Sequence, residues 1–535
     1  MSPFLLVLLC LVVGILAYRR QLRFLHIFQQ EEYDNERFLN WFKKERAFDL
    51  LASLALLVAQ FSASSALYAL ALVGIGFIAY TEPNPTQQAR KTLNLTERAQ
   101  RLLQLALFLS LLLGAIIILI NRDYTALGML ATLQVLPFAL VIANNIFKSH
   151  QEKLNQGFLD EAKQKLAIVH PNVIGITGSF GKTSTKHILH HILSSQIPTL
   201  TTPGSVNTPL GIARIIREQL TNSHQYFVAE MGAYGPGSIA RLCELTPPTH
   251  SAITALGEAH YERFKNLETV AQAKFEIAQS SLSRGGKVVL QVDSMRNIHY
   301  AQEFIKQHRE NLILVGCESS KETVDFYIES PIQDKQGIHF TLIDTKKEIS
   351  YSVHAPIYGL AQCSNVAIAI ILATLAGISF NTAIAAVAST LQIPHRMQVL
   401  TLPNGTTLID NAYNSNPVGF ASSLDLLMTL AGNEKRRVLI TPGLVELGAQ
   451  HHAIHRELGV LAAKYVDILL LVNPKRVPTF YQGFTEATFG RLQRLCIPVD
   501  TLKDAQKWLD TKGTDKDVIL IENDLPDVYF KWQHR

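Results

Sequence analysis

The sequence predicts an α/β protein in which an N-terminal helical transmembrane region precedes a nucleotide-binding part. Three observations lead to this prediction. Long apolar runs fill the first 148 residues, a strand, glycine-rich loop and helix begin near residue 173, and strands alternate with helices near the C-terminus. We expect a transmembrane region at 1–148, a central ATP-binding domain at 149–397 and a C-terminal Rossmann-like domain at 398–535.

Composition supports the membrane part and excludes several classes of protein. With 48% hydrophobic and 17% charged residues and a mean hydropathy of +0.14, the chain is too apolar for disorder and unusual for a wholly soluble enzyme. Its five cysteines are widely spaced and form no C-x-x-C pair, which excludes a disulfide scaffold and gives no sign of a zinc or redox pair. A net charge of +5 on 535 residues is too small to predict nucleic-acid binding.

Five apolar runs are close to the length that crosses a bilayer core of about 30 Å. They occupy residues 4–18, 48–60, 66–80, 102–120 and 127–146. A short polar break at 62–65 leaves a re-entrant hairpin open as an alternative for the second and third runs. A cleavable signal peptide is the alternative for the first run, but its basic residues follow the run and no A-x-A site is present.

Basic residues predict the orientation of these spans. The segment after the first run carries Arg19, Arg20, Arg23, Arg37, Lys43, Lys44 and Arg46, and the segment after the third carries Arg90, Lys91, Arg98 and Arg101. Such loops are typically cytoplasmic. We therefore expect the N-terminus outside, a multi-pass protein, and everything after residue 148 in the cytoplasm. None of the runs has an ionisable residue near its middle, which favours an anchor over a transport path.

A phosphate-binding loop is predicted at residues 173–184, VIGITGSFGKTS. Gly178 and Gly181 allow backbone N–H groups to approach phosphate oxygens, Lys182 neutralises phosphate charge, and Thr183 can ligate Mg²⁺. The usual first glycine is replaced by Ile176. An ordinary glycine-rich turn is therefore the alternative, but the pattern favours an ATP site.

The loop and the segments after it resemble those of the bacterial Mur ligases, in the same order. Residues 177–184 have the family's form T-G-x-x-G-K-T-S, residues 202–211 are similar to its T-x-G-x-x-N segment, and residues 228–232 to its E-M-G strand end. Residues 257–260 and 273–277 resemble its A-H and A-K-x-E-I segments. DNAYNSNP at 410–417 is closest to the D-D-x-Y-N-A-N-P of the branch that adds D-alanyl-D-alanine to a muramyl tripeptide.

The resemblance implies an ATP- and Mg²⁺-dependent ligase of peptidoglycan biosynthesis. Such an enzyme activates a substrate carboxylate as an acyl phosphate and joins it to an amine. The amine would be D-alanyl-D-alanine or a related amino acid or dipeptide, and the acceptor a cell-wall precursor at the inner face of the bacterial cytoplasmic membrane.

The resemblance also assigns roles to individual residues. The catalytic group would be Lys182, Glu230, His260 and Lys274. Mg²⁺ would be held by Thr183, Glu230, His260 and a carbamylated Lys274. Nucleotide contacts would come from Thr177, Gly178, Gly181, Lys182, Thr183, Ser184, Asn365, Arg396 and Asp410, and substrate contacts from Asn207, Thr208, Tyr413, Asn414, Asn416 and Glu446.

Each role has a simpler alternative. Glu230 and His260 could be solvated loop residues, Lys274 a surface lysine, Asn365 a helix cap, and Arg396 part of a surface ion pair. The presence of the whole set in family order favours the catalytic interpretation.

Three departures from the family pattern bear on the substrate. The membrane spans occupy the place of the family's uridine-diphosphate-binding domain, which favours an acceptor carried on lipid or delivered at the membrane. Asn411 replaces the second aspartate, and residues 522–526, ENDLP, replace a basic K-G-S-R turn. The sequence therefore leaves open ligation onto another envelope polymer, and a catalytically silent nucleotide-binding membrane scaffold. It does not predict the oligomeric state.

Overall fold

The computed structural model describes residues 3–62, 65–86, 92–120, 122–257, 266–413, 416–445, 447–488 and 494–523. The chain divides into two compact units, one ending at Leu154 and the other beginning at Asn155. The predicted boundaries at 148 and 397 stay predictions.

Helices form the first unit. They are α1 (Pro3–Gln30), α2 (Asn35–Glu45), α3 (Leu50–Ser62), α4 (Ser65–Thr81), α5 (Glu97–Ile120) and the first part of α6 (Thr125–Val169). In α2, Phe38, Trp41 and Phe42 recur every three or four residues, so one face of the helix is buried. The Asp34 side chain accepts a hydrogen bond from the backbone N–H of Arg37 and starts this helix.

Two helices among the described residues, α5 and α6, are long and apolar enough to cross a membrane. Helices α3 and α4 have 13 and 17 residues, which is below the about 20 residues of a perpendicular crossing. Large apolar side chains face outward on several helices of this unit: Leu54, Phe61, Leu70, Val73, Phe77, Phe108, Leu112, Ile116 and Leu119 are exposed. The length criterion thus supports two of the predicted spans, and the five-span arrangement stays a prediction.

A mixed sheet organises the first half of the second unit. Its strands are β1 (Asn172–Thr177), β2 (Thr199–Thr201), β3 (Tyr226–Glu230), β4 (His250–Ile253), β5 (Val288–Gln291), β6 (Leu312–Cys317), β7 (Phe326–Asp334), β8 (Gly337–Asp344) and β9 (Ile349–Ala355). Their order is β2-β3-β1-β4-β5-β6-β7-β8-β9, parallel up to β7 and antiparallel from β7 to β9. Because β1 lies between β3 and β4, the loops after these three strands meet at one edge.

Helices cover this sheet on both faces. They are α7 (Lys182–Ser194), α8 (Pro209–Gln219), α9 (Ser238–Leu245), α10 (Leu267–Leu282), α11 (His299–His308), α12 (Gln362–Leu375) and α13 (Phe380–Val387). Apolar side chains of alternate strand positions enter separate cores: Val173 packs with α8, α9 and α10, whereas Ile174 packs with α7 and α12.

A second sheet follows at residues 398–522. Its strands are β10 (Gln398–Thr401), β11 (Thr407–Asn411), β12 (Arg436–Thr441), β13 (Ile468–Val472), β14 (Leu495–Val499) and β15 (Asp517–Glu522). Their order is β10-β11-β15-β12-β13-β14. Among the described strands of this second sheet, only β10 and β11 pair antiparallel. Helices α14 (Pro417–Ala431), α15 (His451–Tyr465), α16 (Pro478–Thr488) and α17 (Leu502–Lys512) alternate with these strands. The α/β prediction is confirmed in both sheets.

The junction between the two sheets has an unusual backbone. His395 and Met397 have φ angles of 59° and 50°, the left-handed region that non-glycine residues rarely adopt. Arg396 lies between them.

Candidate active site

The predicted phosphate loop connects β1 to α7. Gly181 has a φ of 85° and immediately precedes Lys182, the first residue of the helix. A Cβ at Gly181 would overlap Oδ1 of Asn365, and one at Gly178 would overlap Oγ1 of Thr254. The loop therefore needs glycine at both positions to pack against these two side chains.

Two lysines converge on the carbonyl of Gly178. Lys182 Nζ donates to this oxygen at 2.8 Å and to the Ser179 carbonyl at 3.2 Å, and Lys274 Nζ donates to the Gly178 oxygen at 2.9 Å. Lys274 is only 4% exposed, so the surface-lysine alternative is wrong. Burial, and then the charge of Lys182, holds the pKa of Lys274 well below its usual value.

Glu230 ends β3 and is held through both carboxylate oxygens. Thr183 Oγ1 donates to Oε2 at 2.8 Å, and Asn207 Nδ2 donates to Oε1 at 3.0 Å. Glu230 is 1% exposed, so it is not a solvated loop residue. Its position beside the phosphate loop follows from the parallel pairing of β1 with β3.

Lys186 belongs to the same cluster, although the sequence analysis missed it. Its Nζ lies 3.2 Å from Oε2 of Glu230, and burial lowers its pKa. The available signal was spacing: Lys186 is four residues after Lys182 and three after Thr183, which places all three on one face of α7.

Arg396 reaches the phosphate loop from the junction between the sheets. Its Nη2 donates to Thr183 Oγ1 at 3.1 Å, and its guanidinium lies 5.3 Å from the ring centre of Tyr413. Burial lowers the pKa of Arg396, while the charge of Glu230 opposes this shift. The surface ion-pair alternative for Arg396 is therefore wrong. Asp410 accepts a hydrogen bond from His395 Nδ1 at 2.7 Å when that nitrogen carries the proton.

Asn365 lies against the start of α7. Its Oδ1 accepts from Thr185 Oγ1 at 3.3 Å and its Nδ2 donates to Gln362 Oε1 at 2.7 Å. It does not cap α12, since the N-cap is Ala361 without a side-chain hydrogen bond. Ser184 is joined to this group by a 3.3 Å hydrogen bond from Gln362 Nε2. Thr177 instead donates to the Met231 carbonyl at 2.8 Å, which ties β1 to β3.

Two predicted substrate residues have clear structural roles. Thr208 accepts from the Gly211 N–H and caps α8, and Asn416 accepts from the Gly419 N–H and caps α14. The predicted His260, Asn414 and Glu446 lie outside the described residues. Within the described ranges, no group of three or more His, Cys, Asp or Glu side chains forms a metal cluster.

Asn411 and Glu522, where the C-terminal sheet differs in charge from the family pattern, contact each other. Asn411 Nδ2 donates to Glu522 Oε2 at 2.8 Å, and both residues are buried. An aspartate at 411 would place two carboxylates in contact, and each would disfavour the ionised form of the other. The amide therefore fits the glutamate of the neighbouring strand.

We expect Asn411→Asp to lower the free energy of unfolding by about 2 kcal/mol at pH 8. The like-charge contact raises the carboxyl pKa in the folded state, so folding binds protons and stability should return as the pH falls. Thermal melting between pH 5 and pH 8 measures this effect. Asn404→Asp, at an exposed turn, is the control. Equal pH profiles for the two variants would contradict the prediction.

The sequence of the central region matches a known family model. Residues 176–373 match the Mur ligase middle domain. The chain is 28% identical over 361 residues to the UDP-N-acetylmuramoyl-tripeptide--D-alanyl-D-alanine ligase of Bacillus subtilis, covering 67% of this chain and 71% of that protein. The ligase of the same name from Escherichia coli is 30% identical over 306 residues, covering 57% of this chain and 65% of that protein. The chain thus spans about two thirds of the length of these relatives.

Solved structures share the fold. MurF from Acinetobacter baumannii has a TM-score of 0.59 with 23% identity, covering 70% of this chain and 78% of that one. MurF from Thermotoga maritima, solved with ADP, has a TM-score of 0.57 with 23% identity, covering 70% and 81%. By sequence and by fold, the chain is therefore similar to the Mur ligases, and residues 176–373 match the middle domain of that family.

Proposed function

We propose that this protein is an ATP-dependent ligase that joins an amine to the carboxylate of a peptidoglycan-type precursor. The relatives carry the name UDP-N-acetylmuramoyl-tripeptide--D-alanyl-D-alanine ligase, and we propose D-alanyl-D-alanine as the amine. The observation that carries the proposal is the Glu230 carboxylate, bonded to Thr183 and Asn207 directly beside the phosphate loop.

The residues of the loop fit a nucleotide and Mg²⁺. Gly178 and Gly181 allow the loop to pack against Thr254 and Asn365, which a Cβ at either position would overlap. The first N–H groups of α7 have no intrahelical acceptors and can bind a phosphate oxygen. The Thr183 hydroxyl and the Glu230 carboxylate are the oxygen ligands that Mg²⁺ prefers. When bound, ATP supplies the phosphoryl group that turns the acceptor carboxylate into an acyl phosphate.

The chain's own groups bind and orient the reactants. Lys182 and Arg396 supply positive charge beside Thr183, where phosphate charge must be neutralised. For the nucleotide we propose further contacts from Thr177, Gly178, Gly181, Ser184, Asn365 and Asp410. For the acceptor and the amine we propose Asn207, Thr208, Tyr413, Asn414, Asn416 and Glu446, with His260 as a further metal ligand.

We propose that Lys274 is carbamylated and then faces the metal. Its low pKa favours the uncharged amine, which attacks CO₂ to form a carbamate and releases one proton. We expect phosphate release to fall about tenfold in CO₂-depleted buffer and to return with bicarbonate, the size of effect that loss of one metal-site group produces. Lys274→Met should be slow in both buffers. A wild-type rate that does not change with bicarbonate would contradict the carbamate.

We also propose that the protein is a multi-pass protein of the bacterial cytoplasmic membrane, with five spans, the N-terminus outside and the ligase part in the cytoplasm. The two long apolar helices and the exposed apolar side chains of the first unit support a lipid-facing role. A membrane-bound enzyme would meet a lipid-linked acceptor at high local concentration. Equal turnover of soluble and lipid-linked acceptors by the purified protein would count against this acceptor.

The ligase proposal is tested by phosphate release from ATP with defined acceptor and amine pairs. We expect release to require both substrates and the product mass to equal their sum less water. Release that does not depend on either substrate, or no release with any pair, would favour the scaffold and contradict the ligase.

A further inference from the structure

We infer that Lys186 is a positioning residue that ties the segment 202–208 to Glu230 and thereby fixes where the acceptor carboxylate is held. This inference rests on the proposed ligase function for its substrate but on geometry for the tie itself. We call residues 202–208 the acceptor loop.

Lys186 joins three separate elements. It lies on α7, its Nζ donates to the carbonyl of Gly204 at 2.5 Å, and the same nitrogen lies 3.2 Å from Glu230 Oε2. The residue is 2% exposed. A buried ammonium is costly unless it is paired and hydrogen-bonded, and here a carboxylate and a carbonyl meet that need.

Other hydrogen bonds hold the two ends of the acceptor loop. Thr202 Oγ1 accepts from the Glu230 N–H at 3.3 Å, and the Gly232 N–H donates to the Asn207 carbonyl at 3.0 Å. Between these ends, Pro203 and Gly204 are exposed. The Lys186 bond to Gly204 therefore holds the middle of the loop against the buried carboxylate.

This tie acts on the acceptor more than on the nucleotide. Asn207 and Thr208, the proposed acceptor contacts, belong to the loop, whereas Lys182 and Thr183 belong to the first turn of α7. Lys186 also pairs with Glu230 through Oε2, the oxygen that Thr183 contacts, while Asn207 contacts Oε1 of the same carboxylate. Loss of the ammonium should loosen the loop, which Lys186 joins to Oε2 through Gly204, while Thr183 keeps its own bond to Oε2.

The test compares Lys186→Met and Lys186→Arg with the matched control Lys165→Met. Lys165 also donates from its ammonium to a backbone carbonyl on another helix, that of Arg217, at 2.7 Å. We expect Lys186→Met to raise the KM for the acceptor about tenfold, the effect of one lost charge-assisted hydrogen bond. The KM for ATP should rise by a smaller factor, because Thr183 shares the Glu230 oxygen but keeps its own bond to it. Lys186→Arg should restore most of the acceptor affinity, and Lys165→Met should leave both constants unchanged.

Hydrogen exchange of the 202–208 peptide tests the tie without any substrate. Exchange should rise in Lys186→Met and stay at the wild-type rate in Lys186→Arg and Lys165→Met. If wild-type protein shows no ligation but exchange behaves as expected, the ligase proposal fails and the tie stands. Unchanged exchange in Lys186→Met, or an equal rise in both KM values, would overturn the inference. If Lys186→Met does not fold, hydrogen exchange of the 202–208 peptide and the two KM values are compared between Lys186→Arg and the wild-type protein. Wild-type values in Lys186→Arg support the tie. An equal loss of affinity for the acceptor and for ATP overturns it.

Discussion

Replacing Lys182 with alanine is expected to reduce substrate-dependent phosphate release by at least about a hundredfold, the effect of losing one preorganised charge-stabilising donor. The ammonium is placed by the first residue of α7 and contacts the loop carbonyls at Gly178 and Ser179. Burial lowers the pKa of Lys182, and the neighbouring Glu230 charge opposes this shift. A bound phosphate is anionic and therefore a stronger partner for the Lys182 ammonium than the two neutral carbonyls. The positive charge of Lys182 would then lie where the reaction develops negative charge.

The fold should survive this change, because the glycines define the loop conformation. Release of phosphate at saturating ATP, acceptor and amine measures the effect, with melting temperature as the check on folding. Lys306→Ala, on an exposed position of α11, is the matched control. Near-wild-type turnover by a folded Lys182→Ala protein would remove the phosphate-loop assignment.

Glu230→Gln is expected to impair both activity and stability. The substitution keeps the shape but removes the anion that faces Lys186 at 3.2 Å, while Lys182 and Arg396 also lose a compensating charge. Because Lys186 is buried, the lost pair should cost about 3 kcal/mol of unfolding free energy. The neutral amide is also a weaker ligand for Mg²⁺, so we expect turnover to fall about a hundredfold and to require more Mg²⁺.

Denaturant unfolding and a magnesium titration of phosphate release measure the two effects separately. Glu303→Gln, an exposed position of α11, controls for the loss of one carboxylate. If Glu230→Gln is less stable but has a normal magnesium dependence, the glutamate holds the lysine cluster without binding metal. Wild-type values for both quantities would contradict its place in the site.

Local pattern was sufficient to predict elements whose partners are near in sequence. The strand predicted near residue 173 is β1, and the predicted alternation of strands and helices near the C-terminus is present from β11 to β15. The phosphate loop was equally accessible, because its glycines and lysine act within one turn. The antiparallel extension β7–β9 was not predicted, since its pairing depends on register between strands.

Contacts between distant segments account for what the sequence did not show. Lys186 is an ordinary helical lysine until folding brings Glu230, 44 positions later in the chain, within 3.2 Å of it. In the sequence, Asn411 is a lost negative charge and Glu522 part of an acidic segment in place of a basic turn, yet the β11–β15 pairing places them side by side. For Lys274, spacing alone left a surface lysine open, and only the family resemblance placed it in the site, because its burial depends on the sheet beside its helix. Residue type and spacing along the chain do not show which distant residues will contact each other in the fold.

The left-handed backbone on either side of Arg396 places conformational strain at the junction between the two sheets. Each non-glycine residue in that conformation costs about 1–2 kcal/mol, so rotation of His395 or Met397 into a relaxed form is downhill for the backbone. The hydrogen bond from Arg396 to Thr183 and the bond from the Met397 N–H to Asn411 oppose that rotation. A rotation of the C-terminal sheet that breaks these two hydrogen bonds would move the Arg396 guanidinium away from Glu230. The orientation of the second sheet and the charge around Glu230 would therefore change together.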